Sequence, residues 1–381
     1  SRLAFGQPYR VHPALDQARV IVSLDEDLFL SHPAAVRYAR DFTRGRAVDE
    51  RRINRLHVVE SAFTVTGSMA DHRLAIPEGR IPVVAVRIAA ELFLRMGLAL
   101  PTGFEGLRLV LERLPDTPGE NDAVAHIATD LMHHRGSSVI VAGSRQGAEV
   151  HALVHLLNEA LGNTGRTLSY TLEPDPERPS SVDALRSLVD EIKAGTVQTL
   201  VILGGNPVFD APADLEFARH LGEVGTRIHH GTYVDETAVA CDWHLPKSHD
   251  LESWGDVRAW DGTLSITQPL IEPLWGGRSS IEIAALMLGD RATGYDIVRT
   301  TFGETTGTAD FEARWRRALH DGLIDGTSWA TETPRVRPGP WLREIAAPTA
   351  DPAPADGVEV TFRPDSRILD GRNANNAWLQ E

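Results

Sequence analysis

Cysteine is almost absent: Cys241 stands alone in 381 residues. An intramolecular disulfide is excluded, and so is a zinc or iron–sulfur site built on several cysteines of this chain. Long apolar runs are missing as well, and no stretch reaches the roughly 18 residues of a membrane-crossing helix. Basic residues are in deficit, 38 Lys+Arg against 53 Asp+Glu, for a formal net charge of −15. Neutralising phosphates needs a basic surface, so this balance argues against nucleic acid and against a polybasic hold on a membrane. The chain opens Ser1-Arg2-Leu3-Ala4-Phe5, with neither Met nor a signal-like stretch, and ends Ala377-Trp378-Leu379-Gln380-Glu381. Both ends predict a piece of a longer protein.

What is present alternates between strand and helix signals. Val20-Ile21-Val22-Ser23-Leu24 is a short apolar run suited to a buried parallel strand. A helix is predicted from Ser31-His32-Pro33 to about residue 44, with Pro in its first turn. Strands are predicted near 56–60, 138–142, 200–203 and 227–229, and helices over 83–96, 121–135, 148–161, 181–194 and 212–221. Repeated β-α-β units of this kind predict an α/β fold with two Rossmann-like, doubly wound domains and mostly parallel sheets. The expected boundaries are 1–120, 121–330, and a proline-rich extended strap over 331–381.

Several constellations carry chemistry. Gly204-Gly205-Asn206-Pro207 follows a predicted buried strand and precedes a helix. Ligands bind at that end of strands in open α/β sheets, and two glycines let the backbone approach one closely; a tight turn accounts for the same residues. Gly143-Ser144-Arg145-Gln146-Gly147 sits at a second such junction, where helix N–H groups and Arg145 suit a phosphate. It lacks the dinucleotide fingerprint, and a plain turn also fits. An unrelated nucleotide-binding α/β enzyme would place an acidic ribose partner after the next strand, at Glu173 or Asp175. His151 and His155 have i, i+4 spacing, but Ala152 stands where a zinc protease needs Glu. Cys241, His244 and His249, with His229 and His230, match no standard zinc spacing. Asp250, Glu252, Asp256 and Asp261, interleaved with Trp254 and Trp260, suit solvated turns or an acid/base pair. No nucleophile–base–acid grouping stands out, so no catalytic residue and no metal ligand is assigned.

Taken in order, these segments resemble the molybdopterin oxidoreductase superfamily. Gly204-Gly205-Asn206-Pro207 looks like its strand-ending G-x-N-P, and the stretch from Tyr233 through Glu236, Thr237 and Asp242 to Pro246 looks like its T-E-T-A-x-x-A-D-V-V-L-P block. Leu251-Glu252-Ser253-Trp254-Gly255, Gly262-Thr263 and Gln268-Pro269 resemble the segment that follows. Thr66-Gly67-Ser68-Met69-Ala70-Asp71-His72-Arg73 and the run from Asp370 to Glu381 are similar to the large iron–sulfur subunit of bacterial alternative complex III, a membrane complex that moves electrons from quinol.

The resemblance implies a respiratory electron-transfer subunit whose molybdopterin-like part is a scaffold without a cofactor of its own. It implies partner subunits of a membrane-bound complex on the periplasmic side, no membrane span here, and iron–sulfur clusters only in parts not present. The strap then leads toward a C-terminal domain outside this chain. A true molybdenum enzyme would bind molybdopterin guanine dinucleotide through Gly204, Gly205, Asn206, Glu236, Thr237 and Asp242. Two departures argue against that: Ser23-Leu24-Asp25-Glu26 stands where relatives carry the first G-x-N-P, and Gly231 where they carry an Asp that contacts guanine. The old cleft is expected to be filled by Asp25, Phe29 and Trp254.

Overall fold

The computed structural model describes residues 1–47, 53–113, 120–345 and 357–381. The chain divides into two units: Ser1–Pro176 with Trp329–Arg363, and Glu177–Ser328 with Pro364–Glu381.

The first unit carries β1 (Tyr9–Pro13), β2 (Val20–Leu24), β3 (Arg55–Glu60), β4 (His72–Ala75), β5 (Ser138–Ala142) and β6 (Leu168–Leu172). Four of them make a parallel sheet in the order β4-β3-β2-β5. Central β2 is buried at all five positions, which is why it reads as an unbroken apolar run. Helices α1 (Ala35–Arg44), α2 (Ile81–Ala90), α3 (Asn121–His133) and α4 (Ala148–Ala160) share one core with the sheet. Along α4 the buried Val150, Leu153, Val154 and Leu157 keep helical spacing. Each such side chain taken from water contributes about 1.5–3 kcal/mol.

The chain runs β2, β3, β4 outward and then returns to the other side of β2 as β5. Strand order reverses between β2 and β5, where doubly wound sheets open their ligand crevice.

The boundary expected at 120 is displaced. Strand β5 pairs with β2 over five residues, so the first unit continues to Pro176. Strands β1 and β6 form a separate antiparallel pair. Their sequences, YRVHP and LSYTL, alternate polar and apolar residues over stretches too short for a period to identify them.

Part of the expected strap is core. Trp341 and Ile345 are fully buried, Val336 is nearly so, and all three belong to the first unit's cluster. Its backbone is tied in by Glu332 N–H to Tyr170 O at 2.7 Å and Arg337 N–H to Ala4 O at 2.7 Å. Residues 346–356 of the expected strap lie outside the described residues, and 364–381 group with the second unit.

The second unit holds two sheets. Strands β7 (Thr199–Leu203), β8 (Thr226–Gly231) and β9 (Trp243–Pro246) are parallel in that order. Helix α5 (Ser181–Lys193), capped by Ser180, supplies Val189 to the cluster of Leu215, Phe217 and Leu221. Strands β10 (Gly255–Arg258), β11 (Leu264–Thr267) and β12 (Leu323–Ile324) are antiparallel, a departure from the doubly wound expectation. Helix α6 (Glu236–Ala240) follows β8; α7 (Ser280–Met287), α8 (Gly294–Thr306) and α9 (Phe311–Asp321) follow β11. A second small core of Val298, Phe302 and Trp315 sits between these helices and the antiparallel sheet.

Candidate functional site

Two strand ends carry the residues singled out in the sequence, and they are built differently. The first is the crevice between β2 and β5. Gly143 N–H donates to Leu24 O at 2.8 Å, and a Cβ on Gly143 would sit 2.1 Å from the Asp25 carbonyl oxygen. Only glycine fits so close an approach. Asp25 itself has φ 65°, a left-handed conformation that costs a non-glycine residue about 1–2 kcal/mol.

The Asp25 side chain is fully buried in the crevice region, between two guanidiniums. Arg145 donates to Oδ2, Gln146 Nε2 donates to the same oxygen at 3.3 Å, and Arg363 Nη2 donates to Oδ1 at 2.9 Å. Glu78 closes the ring, accepting from Arg145 Nε at 3.2 Å and from Arg363 Nη2 at 3.4 Å. Beside it, burial pushes the Glu26 carboxyl up to about 7, helped by the charges of Asp27 and Asp25. Asp27 is occupied too, accepting from Thr66 N at 3.1 Å and Thr66 Oγ1 at 2.8 Å. Thr66 begins the TGSMADHR segment, whose motif gives no hint of this contact.

A pyrophosphate does not fit here. Asp25, Asp27 and Glu78 outnumber Arg145 and Arg363, and both guanidiniums are already held by carboxylates. Of the three residues expected to fill the cleft, Asp25 occupies this crevice. Phe29 packs on Phe42 at 4.9 Å between ring centres, and Trp254 lies in the second unit against Tyr295 at 4.9 Å.

The second strand end, after β7, is open. Gly204 and Gly205 have φ 84° and 78°, and a Cβ on Gly204 would meet nothing nearer than Lys247 Nζ at 4.0 Å. Asn206 ties this turn to α6: its Nδ2 donates to Glu236 Oε2 at 2.6 Å, and its Oδ1 accepts from Thr237 Oγ1 at 2.7 Å and Thr237 N at 3.2 Å. The Asn206 amide holds the Glu236 carboxyl below its usual range. Gly204, Gly205, Asn206, Glu236 and Thr237 therefore come together. Asp242 does not join them. It precedes β9 at the other end of the sheet, accepting from Arg227 N at 2.8 Å and Arg227 Nη2 at 2.6 Å, and that pairing lowers its carboxyl.

Beneath the turn lies a histidine pair that spacing alone does not assign to it. His229 is fully buried; its Nε2 donates to Gly205 O at 3.2 Å, and its Nδ1 meets His244 Nδ1 at 3.2 Å. A Cβ on Gly231 would fall 2.5 Å from the His229 ring, so an Asp at this position has no room here. The glycine turn, with Lys247 beside it, leaves this strand end open to an anionic group; the first crevice is taken up by its own carboxylates.

His155, His249 and Glu173 have structural partners. Among the described residues, no group of three or more His, Cys, Asp or Glu is placed to hold a metal. His155 is buried against the Tyr170 hydroxyl at 3.1 Å, and burial holds it neutral. His249 caps a short turn, its Nδ1 accepting from Leu251 N at 3.1 Å. The ribose partner expected of a nucleotide enzyme fails on topology: β6 pairs antiparallel with β1 outside the parallel sheet, and Glu173 is bound to Arg10 at 2.8 Å.

No family model matches the chain. Over 190 residues it is 25% identical to the menaquinone reductase, molybdopterin-binding-like subunit of Nitratidesulfovibrio vulgaris, covering 47% of this chain and 23% of that protein. Among solved structures it resembles acetylene hydratase from Pelobacter acetylenicus, with a TM-score of 0.53, 13% identity, and coverage of 76% of this chain and 49% of that one. The chain thus spans less than half the length of either. In its α/β architecture with parallel sheets, and in sequence through the curated relative, this chain is like the molybdopterin oxidoreductase superfamily.

Proposed function

We propose that the chain is the central α/β part of a molybdopterin oxidoreductase-like subunit that acts as a scaffold in a respiratory electron-transfer complex and binds no pterin of its own. The observation that carries this reading is Asp25, buried where strand order reverses and held by Arg145 and Arg363. A cofactor pyrophosphate there would have to displace an internal carboxylate and face its neighbours. The curated relative is named as a subunit, which supports a multi-subunit setting. Its partners would be other subunits of a membrane-bound bacterial complex on the exported side, of the alternative complex III kind. Iron–sulfur clusters would belong to other parts of the parent.

A second reading has one observation in its favour, the open Gly204–Gly205 turn backed by Lys247. On it, Gly204, Gly205, Asn206, Glu236 and Thr237 hold one end of molybdopterin guanine dinucleotide, and the bound molybdenum supplies the redox chemistry. Elemental analysis for molybdenum and fluorescence of oxidised pterin, both on the full-length parent, decide between the two. Neither group present, with iron–sulfur clusters retained, supports the scaffold. Near-stoichiometric molybdenum and pterin overturn it.

A further inference from the structure

The second unit has a cavity that neither strand end uses. It encloses about 450 Å³ between the chain following β9 and the N-terminus of α8. Trp254 and Tyr295 form its aromatic wall. Glu252, Glu272 and Glu282 line it against a single cation, Arg278. Glu282 spends one oxygen on the Ser279 N–H at 2.9 Å and lies 3.6 Å from Arg278. Glu252 accepts from the His249 N–H at 3.1 Å. Glu282 also accepts from Ser279 Oγ at 2.9 Å and Glu252 from the Leu274 N–H at 3.5 Å, so apart from Arg278 their recorded partners here are uncharged, and Glu272 is exposed. Ser248, 1% exposed, also borders the cavity, and its buried hydroxyl has no hydrogen-bond partner among the described residues.

The loop that borders the cavity is apolar where a solvated surface would be polar. The loop that carries Glu272 exposes Leu270 at 75%, Leu274 at 67% and Trp275 at 86%. It is anchored rather than loose: Leu270 N–H donates to Leu251 O at 2.8 Å, and Leu251 is itself half exposed. Pro269, Ile271 and Pro273 of this loop line the cavity, and exposed large apolar side chains beside a charged cavity are the composition of a protein-binding patch.

We propose that this face binds a segment of another subunit that inserts one basic side chain, Arg or Lys, into the cavity and lays apolar neighbours on the Leu270–Trp275 loop. Charge selects the inserted group: three carboxylates against one guanidinium attract a cation and repel an acid. The aromatic wall selects it again, since a guanidinium or ammonium is drawn to the face of Trp or Tyr. An anionic or purely apolar occupant satisfies the rim but covers three carboxylates with Arg278 as the one cation lining the cavity. The proposal stands on this surface alone and holds whether or not the parent carries pterin.

The test uses the full-length parent and three synthetic peptides of sequence Leu-Trp-X-Leu-Ile with capped ends, where X is Arg, citrulline or Glu. Binding is followed by calorimetry at low and moderate salt. The Arg peptide is expected to bind at least tenfold more tightly than the citrulline peptide, the Glu peptide not at all, and added salt to weaken the first. Glu272→Lys, at an exposed position, should weaken the Arg peptide tenfold or more, while Asp190→Lys on α5 leaves it unchanged. Equal affinity for Arg and citrulline, no binding of any peptide, or indifference to Glu272→Lys overturns the proposal. Sedimentation of the parent and of Glu272→Lys checks the remaining occupant: a dimer broken by this substitution would assign the face to a second copy and overturn it as well.

Discussion

Arg363 Nη2 donates to Asp25 Oδ1 at 2.9 Å across 338 positions of sequence, and the same nitrogen reaches Glu78 at 3.4 Å. The first sheet's crevice is therefore closed by a residue from the far end of the first unit, on a carboxylate just after β2. Asp25 sits in the left-handed region, which Asn tolerates as readily as Asp. Charge and backbone can thus be separated by one substitution.

Asp25→Asn should keep the turn and remove the charge that Arg145 and Arg363 share. Both arginines are partly solvated, so the loss lies below the 3–5 kcal/mol of a fully buried pair, at about 1–3 kcal/mol. Urea unfolding of the variant measures it. Asp25→Ala should cost more, because it adds the unsatisfied guanidiniums to a strained φ. Equal stability of the Asp25→Asn variant and the wild type would mean that the ring of charges contributes nothing.

Glu26 gives a pH signature. Its carboxyl stands near 7 in the folded chain and near 4.5 in the unfolded one, so the native state binds the extra proton between those values. Stability from this group is fully present below about pH 4.5 and is lost as the pH rises toward 7, by at most about 3 kcal/mol. Other groups titrate nearby; burial lowers His32 to about 4, with the opposite sign. Comparison with Glu26→Gln isolates the effect. Relative to that variant, wild type should lose stability steadily between pH 5 and pH 7 and level off above. A difference flat across pH 5–8 would refute the raised carboxyl.

The parallel strands and their long helices were legible because burial on both faces writes a continuous apolar run. Val20–Leu24 and Ser138–Ala142 are such runs, and both form strands where the pattern puts them. The assignment of β5 to a second domain failed because pairing is not written in a strand: Ser138 to Ala142 carries no mark of its neighbour β2. The antiparallel β10, Gly-Asp-Val-Arg, is mostly exposed and polar, and no periodicity in four residues separates it from a turn. At the site, the glycine turn and its Asn206, Glu236 and Thr237 were legible from motif order. The roles of Arg363 and His229 were not, since one arrives from a distant segment and the other is a buried histidine among fifteen in the sequence.

Gly231→Asp tests the closed position beneath the second turn. Its Cβ would fall 2.5 Å from His229 Cε1, so the ring must move and Gly205 O loses its donor. Overpacking of this kind costs about 1–3 kcal/mol. If the clash is the cause, Gly231→Asp with His229→Ala should be less destabilised than the two single variants added together. Strict additivity by denaturant unfolding would place the cost elsewhere.

Trp341 decides whether the proline-rich segment is a tether or part of the first unit. Its side chain is fully buried, with Nε1 donating to Arg337 O at 3.2 Å and its ring 6.0 Å from that of Phe104. Removing so large a side chain leaves a cavity that costs about 3–5 kcal/mol, and the Arg337 carbonyl loses its donor. Trp341→Ala should therefore lower the unfolding midpoint of the first unit and raise amide exchange along β2, which shares its core cluster. Trp341→Phe, which keeps an aromatic ring but not the indole N–H, should recover much of the loss. The second unit's strands β7 and β8 serve as the internal reference, and their exchange should stay as in wild type. A tethering segment predicts the reverse: exchange along β2 unchanged in Trp341→Ala, with the midpoint where it was.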